Sequence, residues 1–106
     1  MRIEKSYRGI SKRLAIHYLT GLGGTPLDEA GNPVDGAGDS AERAEQVECV
    51  TSDDWTVHLD TRQVAIGATL QLTEVQLTFE SDADDAETVL PELVEAFSQK
   101  AMRAGG

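Results

Sequence analysis

The sequence predicts an α+β domain of two layers, in which an antiparallel β-meander of three to five strands has two helices packed on one face. Residues 55–79 alternate apolar and polar side chains almost without interruption, which is typical of half-buried strands. Residues 11–22 and 86–101 instead have apolar side chains at helical spacing. A chain of 106 residues allows one domain with one modest core. We therefore predict a single α+β domain over residues 1–106.

The first elements are an edge strand and a helix. Weak alternation of Met1, Ile3 and Tyr7 predicts a strand over residues 1–8. Ser11 is a suitable N-cap for the helix that follows. Its apolar side would hold Leu14, Ala15, Tyr18, Leu19 and Leu22, with Arg13, His17 and Thr20 opposite, and it would end at Gly21, Gly23 and Gly24. A strand over 13–20 is the alternative, because Leu14, Ile16 and Tyr18 also alternate.

Residues at about 23–44 form the predicted surface loop, which is acidic and rich in glycine and proline. So long a loop is unusual in a small domain, and a small hairpin around residues 29–32 would shorten it. The preceding GLGG run differs from phosphate-binding loops, because those loops follow a strand and open a helix.

The central strands are predicted from which apolar residues share a face. Residues 46–51 are predicted to form a strand of the same sheet. A three-residue turn at 52–54 then sets Val47 opposite Leu59 and Cys49 opposite Val57. Cys49 is then a small buried apolar group, and a lone cysteine has no partner for a disulfide or a metal pair within the chain.

A two-residue turn at Thr61 and Arg62 is predicted next. It pairs Leu59 with Val64, Val57 with Ile66 and Trp55 with Ala68. The apolar parity then changes near Thr73 and Glu74, which indicates either a second turn or a β-bulge. The face covered by helices would hold Trp55, Val57, Ile66, Leu70 and Leu77. The outer face would be polar and carry Glu48, Thr56, His58, Asp60, Gln63, Thr69, Gln71, Gln76, Thr78 and Glu80.

The last element is a helix with an apolar stripe formed by Ala86, Leu90, Leu93, Val94, Phe97 and Ala101. Acidic residues precede it and Lys100 and Arg103 lie near its end, as the helix dipole favours. Pro91 limits where this helix starts. A helix capped by Thr88 would tolerate Pro91 in its first turn, whereas a helix that starts at Asp84 would require a kink at Pro91.

Charge distinguishes the chain further, with 19 acidic residues against 9 basic ones, three of them lysine, and a formal net charge of -10. This composition resembles that of haloarchaeal cytoplasmic proteins. The resemblance implies a salty cytoplasm, and it predicts that the fold loosens when KCl is lowered and self-repulsion is no longer screened. No apolar run is long enough for a membrane helix and no secretory signal is visible, so we predict a cytoplasmic protein without membrane contact.

Five of the basic residues lie within the first 13 positions, at Arg2, Lys5, Arg8, Lys12 and Arg13. We predict that they bind a partner, either an acidic protein surface or a second copy in a homodimer. Nucleic acid is a weaker candidate, because no aromatic platform accompanies the cations and molar salt weakens phosphate contacts. The alternative is that these cations neutralise the acidic remainder of the molecule.

No catalytic residue, metal site or cofactor is predicted, since no nucleophile has a visible base and no cofactor motif is present. We predict a non-enzymatic binding or assembly module, with homodimerisation expected. His58, Gln71 and Gln76 mark the polar sheet face as its other candidate surface. The alternatives are a nucleic-acid accessory protein that uses the basic segment, and a small acid–base enzyme around His58 with Asp60 or Gln71.

The chain ends in Gly105 and Gly106. This pair resembles the tail of ubiquitin-like modifiers and sulfur carriers, and the resemblance implies a C-terminal carboxylate that is activated as an adenylate. A simple helix stop is the other interpretation of the two glycines. The modifier or carrier function is the last of the alternatives that the sequence offers.

Overall fold

A computed structural model of the chain describes residues 1–105, so Gly106 lies outside the described residues. The elements are β1 (Arg2–Arg8), α1 (Lys12–Gly21), β2 (Thr25–Leu27), α2 (Ala41–Ala44), β3 (Cys49–Thr51), β4 (Thr56–Ala65), β5 (Gln71–Glu80) and α3 (Ala86–Gly105). The strands form one antiparallel sheet in the order β1-β5-β4-β3-β2. With helices packed on this sheet, the predicted α+β class is confirmed.

The predicted edge strand and first helix are both confirmed. β1 pairs along its whole length with β5, and Ile3 and Tyr7 pack against the core. Ser11 caps α1, because its side-chain oxygen accepts a hydrogen bond from the Leu14 N–H at 3.1 Å. His17 is exposed, as expected from the helical spacing.

Residues 23–44 contain more structure than the predicted loop, namely β2, α2 and a small hairpin. The hairpin lies where we predicted it, since Asp28 Oδ1 accepts hydrogen bonds from the N–H groups of Ala30 and Asn32, each at 2.9 Å. The segment also places Ala37 and Ala44 in the core. This burial was not predicted, because small alanines among glycines give no periodic signal.

The predicted connection between β3 and β4 is one residue too short. The turn spans residues 52–55, and the Ser52 N–H donates to the Trp55 carbonyl at 2.8 Å. Val50 therefore lies opposite Val57, and Cys49 lies opposite His58 on the outer face, where it is half-buried. A shift of one residue exchanges the faces of a strand, so the predicted core position of Cys49 is wrong. Trp55 belongs to the turn, yet its side chain is buried.

The predicted turn at Thr61 and Arg62 is also wrong, because β4 runs through both residues. The chain reverses at residues 66–70 instead, where Gly67 has a φ of +97° and the Ile66 N–H donates to the Leu70 carbonyl at 2.7 Å. β4 and β5 then pair continuously, with Val57 opposite Phe79 and Leu59 opposite Leu77. The pairing also excludes the turn or bulge predicted near residues 73–74.

The hairpin end extends past the helices, which explains the change of apolar parity. Ile66 and Leu70 are 41% and 57% exposed, so their predicted place under the helices is wrong. Val64 and Leu72 pair with each other on the outer face, opposite to the face that holds Val57. Beneath the helices, the apolar residues of β4 and β5 thus lie on the face of the sheet that the helices cover. At the hairpin end, beyond the helices, Val64 and Leu72 lie on the outer face.

One hydrophobic core lies between the sheet and the helices. Its largest fully buried side chains include Phe79, Phe97, Ile16, Leu19, Leu77 and Leu90. α3 begins between the two predicted starts and contains Pro91 as its sixth residue. Because proline has no N–H, the Glu87 carbonyl lacks its usual helical donor at Pro91. Within residues 1–105, no helix is long and apolar enough to cross a membrane.

Candidate functional site

A buried carboxylate lies on the outer face of the sheet between two arginines. Glu74 occupies the central strand β5, with Arg8 of β1 and Arg62 of β4 directly beside it on either side. Its Oε2 accepts a hydrogen bond from Arg8 Nε at 3.0 Å, and its Oε1 accepts one from Arg62 Nε at 3.0 Å and lies 2.9 Å from Arg62 Nη2. The Glu74 side chain is 4% exposed, while those of Arg8 and Arg62 are 57% and 61% exposed. The arginines therefore cover the carboxylate.

Hydrogen bonding favours the ionised form of Glu74. The hydrogen bond from Arg8, together with the charge and hydrogen bonds of Arg62, holds the pKa of Glu74 below its ordinary value, although burial acts in the opposite direction. Two guanidinium groups then share one carboxylate, which leaves one excess positive charge on an otherwise acidic protein. The cluster joins β1, β5 and β4.

Glu74→Gln is expected to lower the melting temperature at neutral pH and to flatten its dependence on acid. The folded pKa is depressed, so the stabilisation is complete above the ordinary value near 4.5 and is lost as pH falls through the lowered value. Thermal melts of the variant and the parent chain from pH 7 to pH 3 measure this. We expect the variant to melt several degrees below the parent chain at pH 7, and this difference to shrink as the pH falls. Glu4→Gln is the matched control, since Glu4 is exposed and 3.9 Å from Arg2. Parallel pH curves for the Glu74 variant and the parent chain would contradict the assignment.

The three residues predicted for the polar sheet face do not form one cluster. His58 and Gln76 do lie on the outer face, and His58 Nε2 is 3.4 Å from Glu80 Oε2. Gln71 has the parity of Val57 and Leu77, so it lies on the opposite face near the hairpin end. The predicted pairing of His58 with Gln71 for acid–base chemistry is therefore wrong.

The five cations of the N-terminal segment are divided between the two layers. Arg2 and Arg8 lie on the outer face at opposite ends of β1, and Lys5 lies on the helix side. Lys12 and Arg13 belong to α1, where Arg13 Nη1 donates to the Gly38 carbonyl at 3.0 Å. Of this set, Arg8 takes part in the cluster around Glu74. Arg62 and Glu74 were missed by sequence reasoning, because only the pairing of three strands brings them together.

The described residues offer little for metal or thiol chemistry. No group of three His, Cys, Asp or Glu side chains within residues 1–105 has a geometry suited to a metal ion. Burial, with the nearby charge of Glu48, raises the pKa of the Cys49 thiol. A raised pKa keeps the thiol protonated and weakly nucleophilic.

The C-terminal glycines are the remaining candidate, and the part of α3 that precedes them packs in the core. Phe97 is fully buried, and its ring meets those of Tyr7, Tyr18 and Phe79 edge-on at centroid distances of 4.9, 5.9 and 6.2 Å. The Tyr7 hydroxyl lies 2.8 Å from Ser98 Oγ. Ala101 is the last buried residue before the exposed side chains of Met102 and Arg103. α3 itself continues to Gly105.

Comparison with known proteins identifies a family. A family model described as archaeal MoaD-like protein matches residues 3–106, which includes all of the sheet except Arg2, the three helices and both terminal glycines. No curated protein and no solved structure matches the chain.

Proposed function

The chain belongs to the archaeal MoaD-like family, and from this membership we propose that it acts as a small ubiquitin-like modifier or sulfur carrier. The reacting group in this proposal is the C-terminal carboxylate of Gly106. The observation that carries the proposal is a family match that extends over residues 3–106 and so includes Gly105 and Gly106. This function, which the sequence alone ranked last, replaces the binding or assembly module as our preferred one.

The proposed chemistry needs an activated carboxylate and an unhindered approach to it. A carboxylate oxygen attacks the α-phosphorus of ATP, pyrophosphate leaves, and an acyl adenylate forms. A sulfide ion then displaces AMP to give a thiocarboxylate in a carrier, or a lysine amine displaces AMP to give an amide in a modifier. Two glycines suit this chemistry, because they have no Cβ to crowd the carbonyl carbon and they adopt backbone conformations that other residues avoid.

A separate adenylating enzyme would supply the nucleotide site. The GLGG run of this chain spans the end of α1 and the residues after it, and phosphate-binding loops instead open a helix. The chain itself contributes a rigid body and a terminal carboxylate.

We expect ATP-dependent activation of the terminal carboxylate. The purified chain is incubated with ATP, Mg²⁺ and a cell extract of the source organism, and hydroxylamine is added to trap the acyl adenylate as a hydroxamate. Peptide mass spectrometry should find the hydroxamate on the C-terminal peptide when ATP is present, and none when ATP is omitted.

The matched control is the same chain with a C-terminal carboxamide on Gly106, prepared by ligation. It has the same fold and charge elsewhere but no carboxylate, so we expect its adduct to be lost completely. Absence of a hydroxamate on the unmodified chain, despite ATP and extract, would contradict the proposed function. An equal adduct on the carboxamide would show that the reacting group lies elsewhere.

A further inference from the structure

We infer that two copies of this chain pair through the free edge of β4, at residues 60–66, and so join their two sheets into one. This contact is independent of the proposed function, since it uses a strand edge and not the C-terminal carboxylate. The homodimer that we predicted from the sequence thus uses a surface other than the basic N-terminal segment.

The β4–β5 hairpin extends past the strand on its open side. There, β3 pairs with only the first residues of β4, and the Leu59 N–H donates to the Glu48 carbonyl at 3.4 Å. Beyond Leu59, no strand in the part of the chain that the structure describes pairs with this side of β4. The strand continues to the turn that contains Gly67. Residues 60–66 therefore form a free strand edge.

Alternate residues of the free edge direct their main-chain groups away from β5. The Ile66 N–H donates to the Leu70 carbonyl across the hairpin at 2.7 Å. The main-chain groups of a strand alternate between its two sides, so the odd-numbered residues of β4 point outward. The outward residues of the free edge are Thr61, Gln63 and Ala65. The Thr61 N–H donates to Asp60 Oδ1 at 2.9 Å, and a strand added beside this edge would bond all three residues.

The free edge is complementary to itself. Its two limits, Leu59 and Gly67, lie equally far along the chain from Gln63, so antiparallel pairing about a two-fold axis at Gln63 uses the edges of both copies in full. Gln63 then lies opposite Gln63 of the second copy, and Thr61 lies opposite Ala65. About six main-chain hydrogen bonds cross this interface, two for each pair, once the Thr61 N–H leaves its side-chain acceptor.

Charge does not oppose this pairing, although each copy has a formal net charge of -10. Residues 63–73 contain no charged side chain. Arg62 lies beside the two-fold axis, but it is already paired with Glu74 of its own copy. The Asp60 residues of the two copies are about 20 Å apart in this register, because six residues of extended chain separate their positions. Pairing through this edge therefore brings no unneutralised like charges together near the axis.

The side chains beside the axis fit the same register. On the outer face, Val64 lies opposite Arg62 of the second copy and diagonally across from its Val64. The aliphatic stem of Arg62 then covers Val64, which is only half-buried in the single chain. The dimer contact therefore removes apolar surface at the hairpin end from water.

Proline substitutions test this contact. Gln63→Pro removes an N–H that points away from β5, so it leaves the hairpin ladder intact while it takes away the central donor of the interface. Gln71→Pro is the matched control, since Gln71 is exposed, lies on the same face and directs its main-chain groups to the opposite edge of the hairpin. The Gly9 N–H, which donates to the Thr73 carbonyl at 3.3 Å, identifies that opposite edge.

Light scattering in molar KCl, from micromolar to millimolar protein, measures dimerisation, and circular dichroism checks that each variant is folded. We expect the parent chain and Gln71→Pro to form dimers, and Gln63→Pro to raise the dimer dissociation constant at least about 100-fold. A monomeric parent chain would overturn the inference. A dimer that tolerates Gln63→Pro, or that is weakened equally by Gln71→Pro, would also overturn it.

A disulfide tests the register without relying on the proline variants. Opposite residues of a hydrogen-bonded antiparallel pair have Cα atoms about 5.5 Å apart, which suits a disulfide. In a Cys49→Ser background, which removes the native thiol, Gln63→Cys should crosslink two copies at least about tenfold faster than Gln71→Cys. Equal rates of crosslinking would overturn the inference and would leave the proposed function untouched, because the hydroxamate assay reports on the C-terminal carboxylate alone.

Discussion

Trp55→Ala is expected to lower the free energy of unfolding by about 3–5 kcal/mol. The Trp55 side chain is 8% exposed although the residue lies in the turn between β3 and β4. Its ring packs directly on the backbone of Gly24, since a Cβ added at Gly24 would lie 2.6 Å from Trp55 Cη2 and closer still to Val50 Cγ1. No other residue type fits at Gly24 without displacing the indole, so removing the ring leaves a cavity.

Urea unfolding followed by circular dichroism measures this loss, because the variant lacks the tryptophan needed for fluorescence. His58→Ala is the matched control, since His58 lies on the other face of the sheet with its side chain 47% exposed. We expect the control to change the free energy of unfolding by no more than about 0.5 kcal/mol. Similar losses from the two substitutions would mean that Trp55 does not pack in the core.

Features fixed by neighbouring residues were predictable from the sequence. The start of α1 follows from Ser11, whose side chain bonds within its own turn, and the buried stripe of α3 follows from spacing alone. β1 was recognised as an edge strand from its weak alternation. In each case the signal lies within a few residues of the element that it predicts.

Features fixed by distant residues were not predictable. A turn at Thr61 and Arg62 and the observed turn around Gly67 both leave Val57 and Leu59 on the buried face, so alternation did not distinguish them. The glycine at 67 was the available signal, because its φ of +97° suits glycine best. Glu74 gave no signal at all, since its burial depends on side chains 66 and 12 residues away.

The proposed site was visible in the sequence but could not be ranked. A search for catalytic groups relies on side chains that converge, such as an acid with a base or three metal ligands. The proposed reacting group is a main-chain carboxylate, which leaves no such constellation. Two glycines are also a common way to end a helix, so their function could be favoured only once the family match covered the rest of the chain.

Phe97→Ala is expected to cost about 3–5 kcal/mol of unfolding free energy, because it removes the largest fully buried side chain of α3. The ring is fully buried and contacts aromatic side chains from β1, α1 and β5. Tyr7 contacts both the Phe97 ring and Ser98 Oγ, so the loss of Phe97 should also weaken the contact between Tyr7 and Ser98.

Met102→Ala provides the contrast on the same helix, five residues further on, where the side chain is 75% exposed. We expect it to change the free energy of unfolding by no more than about 0.5 kcal/mol. Urea unfolding of both variants measures the difference. A loss below about 1 kcal/mol for Phe97→Ala would show that α3 is not anchored at this ring.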